Sequence, residues 1–428
     1  MAWIYVLLLV AAPLLLTSAL VLQTAWCLLR NYASTRTIGV PIRFIPISPP
    51  NPFWVLADRT VLSLVRRLPG PLGNNKILNV FGLNISTAEG QAWKTQRKIA
   101  QHCFNEQNNA VVWDEALTLA RDMLKYWTSK PSVDTAAIDL GTMSLHVLSR
   151  AGFGKSFKFE SQEDRMAHGS SGTKAEAANY KESLLTVVEN CILIVCLDVK
   201  DGGGLTEAEI YGNMFVFNFA GHDTTAHTFT FAIYFLAAIS DVQEWLSEEI
   251  NHVCGHRAVE EWNYRADFPR LKRCLSVKLE TIRLYSPVPV LKWTADKSQP
   301  LLIGGKTLVI PPHSMIVPSY GSVHTDPRFW GPDSLSWNPS RFITKSSANA
   351  EEEFCIPVRG SFVGFSDGPQ DCPGRKFAQV ELVATMAVLF GGDWRVESAP
   401  KYAGEGPEAA RRRVLDLIES DSGPVLLL

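Results

Sequence analysis

The first pattern along the chain is an apolar run. Met1 to Leu29 carries no charged side chain and is dominated by Leu, Val, Ile and Ala, long enough to cross a bilayer as one helix. The basic segment that opens a cleaved leader is missing before it. Arg30, Arg36 and Arg43 follow it, which predicts a cytosolic downstream chain. Pro46, Pro49, Pro50 and Pro52 then exclude helix and predict a stiff, extended connector. The expected organisation is an anchor over residues 1–29, a linker over 30–52 and one folded domain over 53–428.

Within that domain, Trp93-Lys-Thr-Gln-Arg97 has a helical pattern and puts Trp93 and Arg97 on one face. Leu205 to about Ile239 predicts a long helix, apolar all round and therefore buried. Val242 to Ile250 predicts an amphipathic helix, Lys278 to Pro287 contains another, and Arg375 to about Phe390 a third. Leu301 to Val317 alternates apolar residues with Gly304-Gly305 and Pro311-Pro312, the pattern of short strands. The fold class expected is mainly α with small β-sheets, an α+β chain.

Composition narrows the function classes. A hydrophobic content of 46% over 428 residues supports a sizeable core, and a net charge of -2 gives no electrostatic footprint for nucleic acid. The eight cysteines contain no C-x-x-C pair and no regular spacing, which fits a reducing compartment better than a disulfide framework. Asn84-Ile-Ser86 is formally a glycosylation sequon, coincidental in a domain facing the cytosol.

Three stretches carry chemistry. In the long buried helix, Ala220-Gly221-His222-Asp223-Thr224-Thr225 breaks the local rules. Glycine weakens a helix, and Thr hydroxyls bond back to carbonyls and bend or open a turn. Such departures inside a core element mark function. Further on, Cys372 lies between the turn formers Asp367-Gly-Pro and Pro373-Gly374, just ahead of an apolar helix. Glycine and proline hold the thiol on a rigid loop, and a helix N-terminus favours thiolate. A thiolate is the ligand whose electron push on iron favours O–O cleavage. Finally, Glu280 and Arg283 share a helix face among Leu279, Ile282 and Leu284.

These segments resemble, in order, the motifs of the cytochrome P-450 family. Phe365, Gly368, Cys372 and Gly374 match Phe-x-x-Gly-x-(Arg/His)-x-Cys-x-Gly, and Ala220 to Thr225 match (Ala/Gly)-Gly-x-(Asp/Glu)-Thr-(Thr/Ser). Glu280 and Arg283 match Glu-x-x-Arg, completed by Arg341 of Trp337-Asn-Pro339-Ser-Arg341-Phe342, and Trp93 and Arg97 match Trp-x-x-x-Arg. The resemblance implies the P-450 fold with an N-terminal transmembrane helix and haem b as cofactor. It implies Cys372 as proximal iron ligand, and Trp93 and Arg97 on a haem propionate. Gly221 is expected to leave room for dioxygen, with Asp223 and Thr224 relaying protons. Phe365, Gly368, Gln370 and Gly374 form the loop around the cofactor. The activity implied is that of a haem-thiolate monooxygenase like fungal members, acting on an apolar small molecule in secondary metabolism. An NADPH-dependent flavoprotein reductase would supply electrons. The implied location is the endoplasmic reticulum membrane, held by lipid contact of the N-terminal helix, with the catalytic domain in the cytosol.

The chain also departs from the family pattern. Gln370 occupies the slot that usually carries Arg or His, and Trp293, beside Lys292, occupies another. Phe53 to Ala92 does not show the strands and helix placed there, and no helix pair to roof a substrate pocket is evident before Asp223. The apolar Thr186 to Leu197 passes directly into the Asp198 loop, and Leu428 comes where a C-terminal hairpin should turn back. Two further readings stay open. One is a reductase-independent haem-thiolate isomerase or dehydratase, against which the Asp223-Thr224 pair argues. The other is a shortened homologue that binds haem poorly and turns nothing over.

Overall fold

The computed structural model describes Trp26 and residues 78–79, 81–161, 204–255, 257–288, 292–294, 297–312, 314–345, 351–399, 401 and 404–421. The expected anchor (Trp26 apart), the proline linker, most of Phe53 to Ala92 and the Thr186 to Leu197 segment lie outside the described residues. Among the described residues no single helix is long and apolar enough to cross a membrane. The chain divides into two compact units, one containing Pro289–Pro318 and the other Asn75–Val288 with Ser319–Leu426.

The larger unit is a helical body. Its helices are α1 (Gly90–Gln101), α2 (Glu106–Thr128), α3 (Ala136–Phe153), α4 (Glu207–Ala238), α5 (Ser240–Cys254), α6 (Lys272–Leu284), α7 (Arg375–Phe390) and α8 (Pro407–Asp421). The long helix α4 starts where its sequence provides a capping box. The Thr206 hydroxyl accepts from Glu209 N–H, and the Glu209 carboxylate accepts from Thr206 N–H at 2.8 Å. Being apolar on every side, α4 packs against α3, α6, α7 and α8. It runs unbroken through Gly221 to Thr225, where the sequence suggested an opened turn. The hydroxyls of Thr224, Thr225 and Thr228 donate to the carbonyls of Ala220, Gly221 and Thr224, so they are satisfied without breaking the helix.

The second core element, α7, is buried from Val380 to Phe390 and packs most extensively against α2. α3 ends as its sequence requires. Gly154 adopts φ 74°, its N–H bonds to Arg150 O, and Lys155 N–H bonds to Ser149 O, a left-handed closure that suits glycine. Asn84 of the formal sequon is fully buried and donates to Leu78 O and Gly82 O, so the fold makes it a structural residue. The sequence reading did not foresee α8. Ala410, Val414 and Ile418 are buried at a four-residue spacing and lie on the face packed against α4. That spacing, among the charges of Glu408 and Arg411 to Arg413, was the available signal.

The sheets are small. In the larger unit, β5 (Ile343–Lys345) pairs antiparallel with β6 (Glu352–Phe354). In the smaller unit β1 (Lys292–Trp293) pairs with β4 (Met315–Ile316), and β2 (Gln299–Ile303) forms a hairpin with β3 (Lys306–Ile310). Gly304 and Gly305, at φ 55° and 77°, make the two-residue turn. The short strands expected between Leu301 and Val317 are therefore present.

α6 carries the buried ion network expected from the motif. Arg283 donates to both Glu280 oxygens at 2.7 and 2.8 Å, and Arg341 Nε donates to Glu280 Oε1 at 2.9 Å. Glu280 and Arg283 are fully buried, and remaining guanidinium N–H groups reach the carbonyls of His324, Ser334, Ser336 and Trp330. Removing one member of such a network leaves uncompensated buried charge. Glu280→Gln is therefore expected to lower the free energy of unfolding by about 3–5 kcal/mol in urea titration. Arg395→Ala, which breaks an exposed pair with Glu244, should cost under about 1 kcal/mol.

Candidate active site: the cysteine loop and its supports

Cys372 is held by backbone hydrogen bonds local to its loop. Its N–H donates to Phe365 O at 2.9 Å, Ser366 N–H to Val363 O, and Asp371 N–H to Gly368 O. Gly368 sits at φ 83°, and Ser366 at φ 62° is the one non-glycine residue with positive φ among those described, a strained position of the kind found at functional sites. Gly364 allows the loop to touch α6. A Cβ there would lie 2.3 Å from the Ile282 side chain.

Two cations fasten the loop through Asp371, a residue the sequence reading passed over. Arg97 of α1 donates to the Asp371 carbonyl at 2.6 Å and to its carboxylate at 2.7 Å, and Arg375 reaches the other carboxylate oxygen at 3.3 Å. The sequence assigned Arg97 to a haem propionate. In the structure it clamps the residue before Cys372, and its buried Nε has no hydrogen-bond partner. Trp93 lies one turn earlier on α1 and is half-buried. Gln370 is exposed, and Gly374 caps α7 with its missing Cβ 3.6 Å from Phe104. Phe104 also contacts Phe377 of α7 and Phe217 of α4, with ring centroids 6.5 and 5.7 Å apart. One aromatic side chain thus joins the cysteine loop to α4 one turn before Gly221.

On α4, Asp223 is partly exposed and pairs with His222 Nε2 at 3.1 Å, while His222 Nδ1 donates to Asn218 O. Burial alone would lower the His222 pKa, but the hydrogen bonds to Asp223 and Asn218 with the charges of Asp223 and Glu381 raise it. The His222 hydrogen bond in turn lowers the pKa of Asp223, against burial. His222 was missed in the sequence because its slot in the motif admits any residue. Thr224 is partly engaged, its hydroxyl donating to Ala220 O at 2.8 Å. At Gly221 a Cβ would meet the Leu148 side chain at 3.0 Å, so its small size lets α3 and α4 approach. Lys292 and Trp293 have described backbone in β1, and their side chains lie outside the described residues.

Cys372 is exposed on its loop. Desolvation of the sulfur raises its pKa, against the Gly374 N–H and the charges of Lys278 and Arg375, which lower it. A metal cation at the sulfur would favour the thiolate.

The residues present fit an iron porphyrin. Cys372 offers a free thiol on a rigid loop, and Arg97 Nε is a buried N–H group without a hydrogen-bond partner. These supply a soft ligand for iron and a cation for an anionic cofactor. The family model described as cytochrome P-450 matches residues 174–391, just over half of the chain.

The chain belongs to the cytochrome P-450 family.

Its members are oxygen-incorporating oxidoreductases that use haem with a thiolate ligand. Cytochrome P-450 monooxygenase 124 of Postia placenta is 27% identical over 446 aligned positions, covering 88% of this chain and 82% of the relative. The phomenoic acid biosynthesis cluster cytochrome P-450 monooxygenase of Leptosphaeria maculans is 24% identical, covering 79% of this chain and 72% of that one. A cytochrome P-450 crystal structure superposes with a TM-score of 0.58 at 21% identity, over 76% of this chain and 78% of that one. The fold is thus the P-450 fold, mostly helical with small sheets.

His324 links the ion network to the cysteine loop. It is fully buried, and its Nε2 accepts from Val363 N–H at 2.9 Å. The proton therefore sits on Nδ1, which donates to Arg283 O at 2.9 Å. Burial lowers the pKa to about 4, with the Arg283 carbonyl opposing and the Arg283 charge assisting. Because this lies below the ordinary value of about 6.5, the unfolded chain binds more protons between those limits. Stability is complete above pH of about 6.5 and falls as pH drops to about 4, by on the order of 3 kcal/mol. Gln at this position can accept and donate in the same way without titrating. Urea unfolding at pH 7 and pH 4 should therefore show a loss smaller by about that amount in His324→Gln.

Proposed function

We propose that this chain inserts one oxygen atom from dioxygen into an apolar small molecule, as an oxidation step in fungal secondary metabolism. The observation that carries this is the fastening of Cys372. Its loop is clamped by Arg97 through Asp371, braced by Gly364 against α6, and set at the start of α7. Haem b, when bound, supplies dioxygen activation and oxygen transfer. The chain supplies the rest. Cys372 Sγ is the iron ligand, and the Gly374 N–H with the Lys278 and Arg375 charges favours its thiolate. Arg97 Nε is the free donor for a carboxylate, and Trp93 lies on the same helix.

Asp223 is the group that can hold and pass a proton. Its carboxylate is partly exposed, yet His222 fixes its position and keeps it ionised. Thr224, adjacent on α4, donates its hydroxyl proton to Ala220 O and leaves its oxygen free to accept. His222, whose pKa the pairing with Asp223 and the Asn218 carbonyl raise against burial, lies behind that carboxylate and can hold a proton for it. The secondary-metabolism assignment is supported by the similarity to a relative named for a biosynthetic cluster. The electron donor is an NADPH-dependent flavoprotein reductase. Anchoring of the chain by residues 1–29 in the endoplasmic reticulum membrane, with the catalytic domain in the cytosol, is supported by the apolar run and the arginines after it.

The test is a carbon monoxide difference spectrum of the reduced, full-length protein. A thiolate-type Soret band is expected, and Cys372→Ser should abolish it; a histidine-like band in the wild type would overturn the assignment. Incubation with reductase, NADPH and labelled dioxygen against apolar substrates should then put one labelled atom in product. Asp371 and Arg97 act on the ligand from outside it, and outer partners of this kind are worth about 10–100-fold in metal affinity. Arg97→Ala is expected to speed haem transfer to apomyoglobin by a factor in that range.

A further inference from the structure

On α4 the ring of His222 stands between two acceptors. Its Nδ1 lies 2.5 Å from Asn218 O, one turn back, and its Nε2 lies 3.1 Å from Asp223 Oδ1. A carbonyl oxygen only accepts, so Nδ1 carries a hydrogen. With that position filled, a neutral ring turns a bare nitrogen lone pair toward the Asp223 carboxylate. The second contact is therefore a hydrogen bond only while a proton sits in it, on Nε2 or on Oδ1. One proton thus holds the ring and the carboxylate together.

The two ends of this pair face different surroundings. The His222 side chain is 22% exposed and that of Asp223 is 42% exposed. The backbone beneath them is unbroken helix, and the neighbouring Gly221 packs closely on Leu148 of α3, so the ring is carried by a rigid element. Burial opposes charge on the ring, but the hydrogen bonds to Asp223 and Asn218 and the Asp223 charge outweigh it, and the pKa lies above its ordinary value. The other charged group acting on the ring is Glu381 of α7, the weakest of these influences.

We propose that His222 is a positioning residue that latches the Asp223 carboxylate in place while the pair holds one proton, and that loss of this proton at alkaline pH releases Asp223. The inference rests on Asp223 being the group that passes a proton. When the latch opens, the Nε2–H bond breaks, the proton goes to solvent, and the pair changes from neutral to singly negative. The lone pair left on Nε2 repels Oδ1, and Asp223, already in contact with water, turns away. Proton delivery then acquires an alkaline limit. Asp223 and Thr224 alone would give none near neutrality, because a free carboxylate titrates near about 4 and a threonine hydroxyl does not titrate in this range.

The first measurement is the ring titration of His222 in the full-length, haem-loaded protein, reduced and bound to carbon monoxide. Nitrogen NMR of isotope-labelled histidine reads it, and absence of the signal in His222→Gln identifies it. The wild-type ring should titrate above about 6.5. Asp223→Asn should lower that midpoint, and Glu381→Gln should move it less. The second measurement is product formation from an apolar substrate, with reductase in excess, between about pH 6 and about pH 9. Where a single proton is required, the wild-type rate should fall about tenfold per pH unit above the ring's midpoint. His222→Gln, which can donate to Asp223 without titrating, should lack that fall, whereas a residue serving packing alone would leave the shape of the profile unchanged. A ring midpoint at or below the ordinary value, or one unmoved by Asp223→Asn, overturns the proposal. So does an alkaline fall that persists in His222→Gln. The ring titration needs no turnover, so it decides the latch even in an inactive preparation. If Asp223→Asn forms product as fast as wild type, the proton-passing role of Asp223 fails. If that variant is slow and His222→Gln keeps the wild-type profile, only the latch fails.

Discussion

The structure depends on one carboxylate taken out of water. Glu280 is fully buried, and it is tolerable there because Arg283 and Arg341 both donate to it and the Asn338 N–H adds a third partner. Its neutralisation fixes the direction of both guanidinium groups. Each then spends its remaining N–H groups on loop carbonyls between His324 and Ser336. A long loop with little regular structure is thereby given a set of hydrogen bonds that a sheet or helix would otherwise provide. His324, fixed in one tautomer, passes the same order from the Arg283 carbonyl to the Val363 N–H. Two residues later the chain enters the cysteine loop. Position of the thiol is thus set from α6, through neutral and ionic hydrogen bonds, before any cofactor is considered.

Opposing influences meet at Cys372. Desolvation of the sulfur raises its pKa, while the Gly374 N–H and the charges of Lys278 and Arg375 lower it. The side chain is nevertheless exposed on its loop, so a metal could reach the sulfur without any part of the loop moving. A metal cation there would add positive charge on the side of the thiolate. The loop therefore contributes position first, and the ligand's charge is completed by what it binds.

Much of this was legible because the motifs specify backbone geometry. Glycine and proline around Cys372, an apolar helix beginning at Arg375, and a carboxylate three residues from an arginine are local patterns. The structure reproduced each of them, along with the boundaries of α4 and α7. What stayed hidden depends on partners remote in sequence. Arg97 was read as a cofactor cation, and nothing local showed that Asp371 would meet it. Gly221 was read as room for dioxygen, and nothing local showed that a side chain there would also meet Leu148 of α3. Helix α8 went unseen because its apolar stripe is narrow and lies among charges, and a stripe of that kind declares itself only against the surface it covers.

The polar stretch of α4 shows how an element can break local rules and keep its shape. Three threonine hydroxyls are absorbed by carbonyls of the same helix, and the glycine among them is held by close contact with α3. The helix therefore has no need to open, and its irregularity is expressed in side chains alone. Asp223 is the one carboxylate in that stretch, and its pairing with His222 lowers its pKa. Deeper in the core, burial lowers the pKa of Lys278 on α6 and raises that of Glu381 on α7, each to about 7, although the opposite charge of the other works against both shifts. Such a pair costs stability in a domain that could have used apolar residues at both positions. The surface pair on α4 carries no such cost, because the Asp223 carboxylate keeps its contact with water.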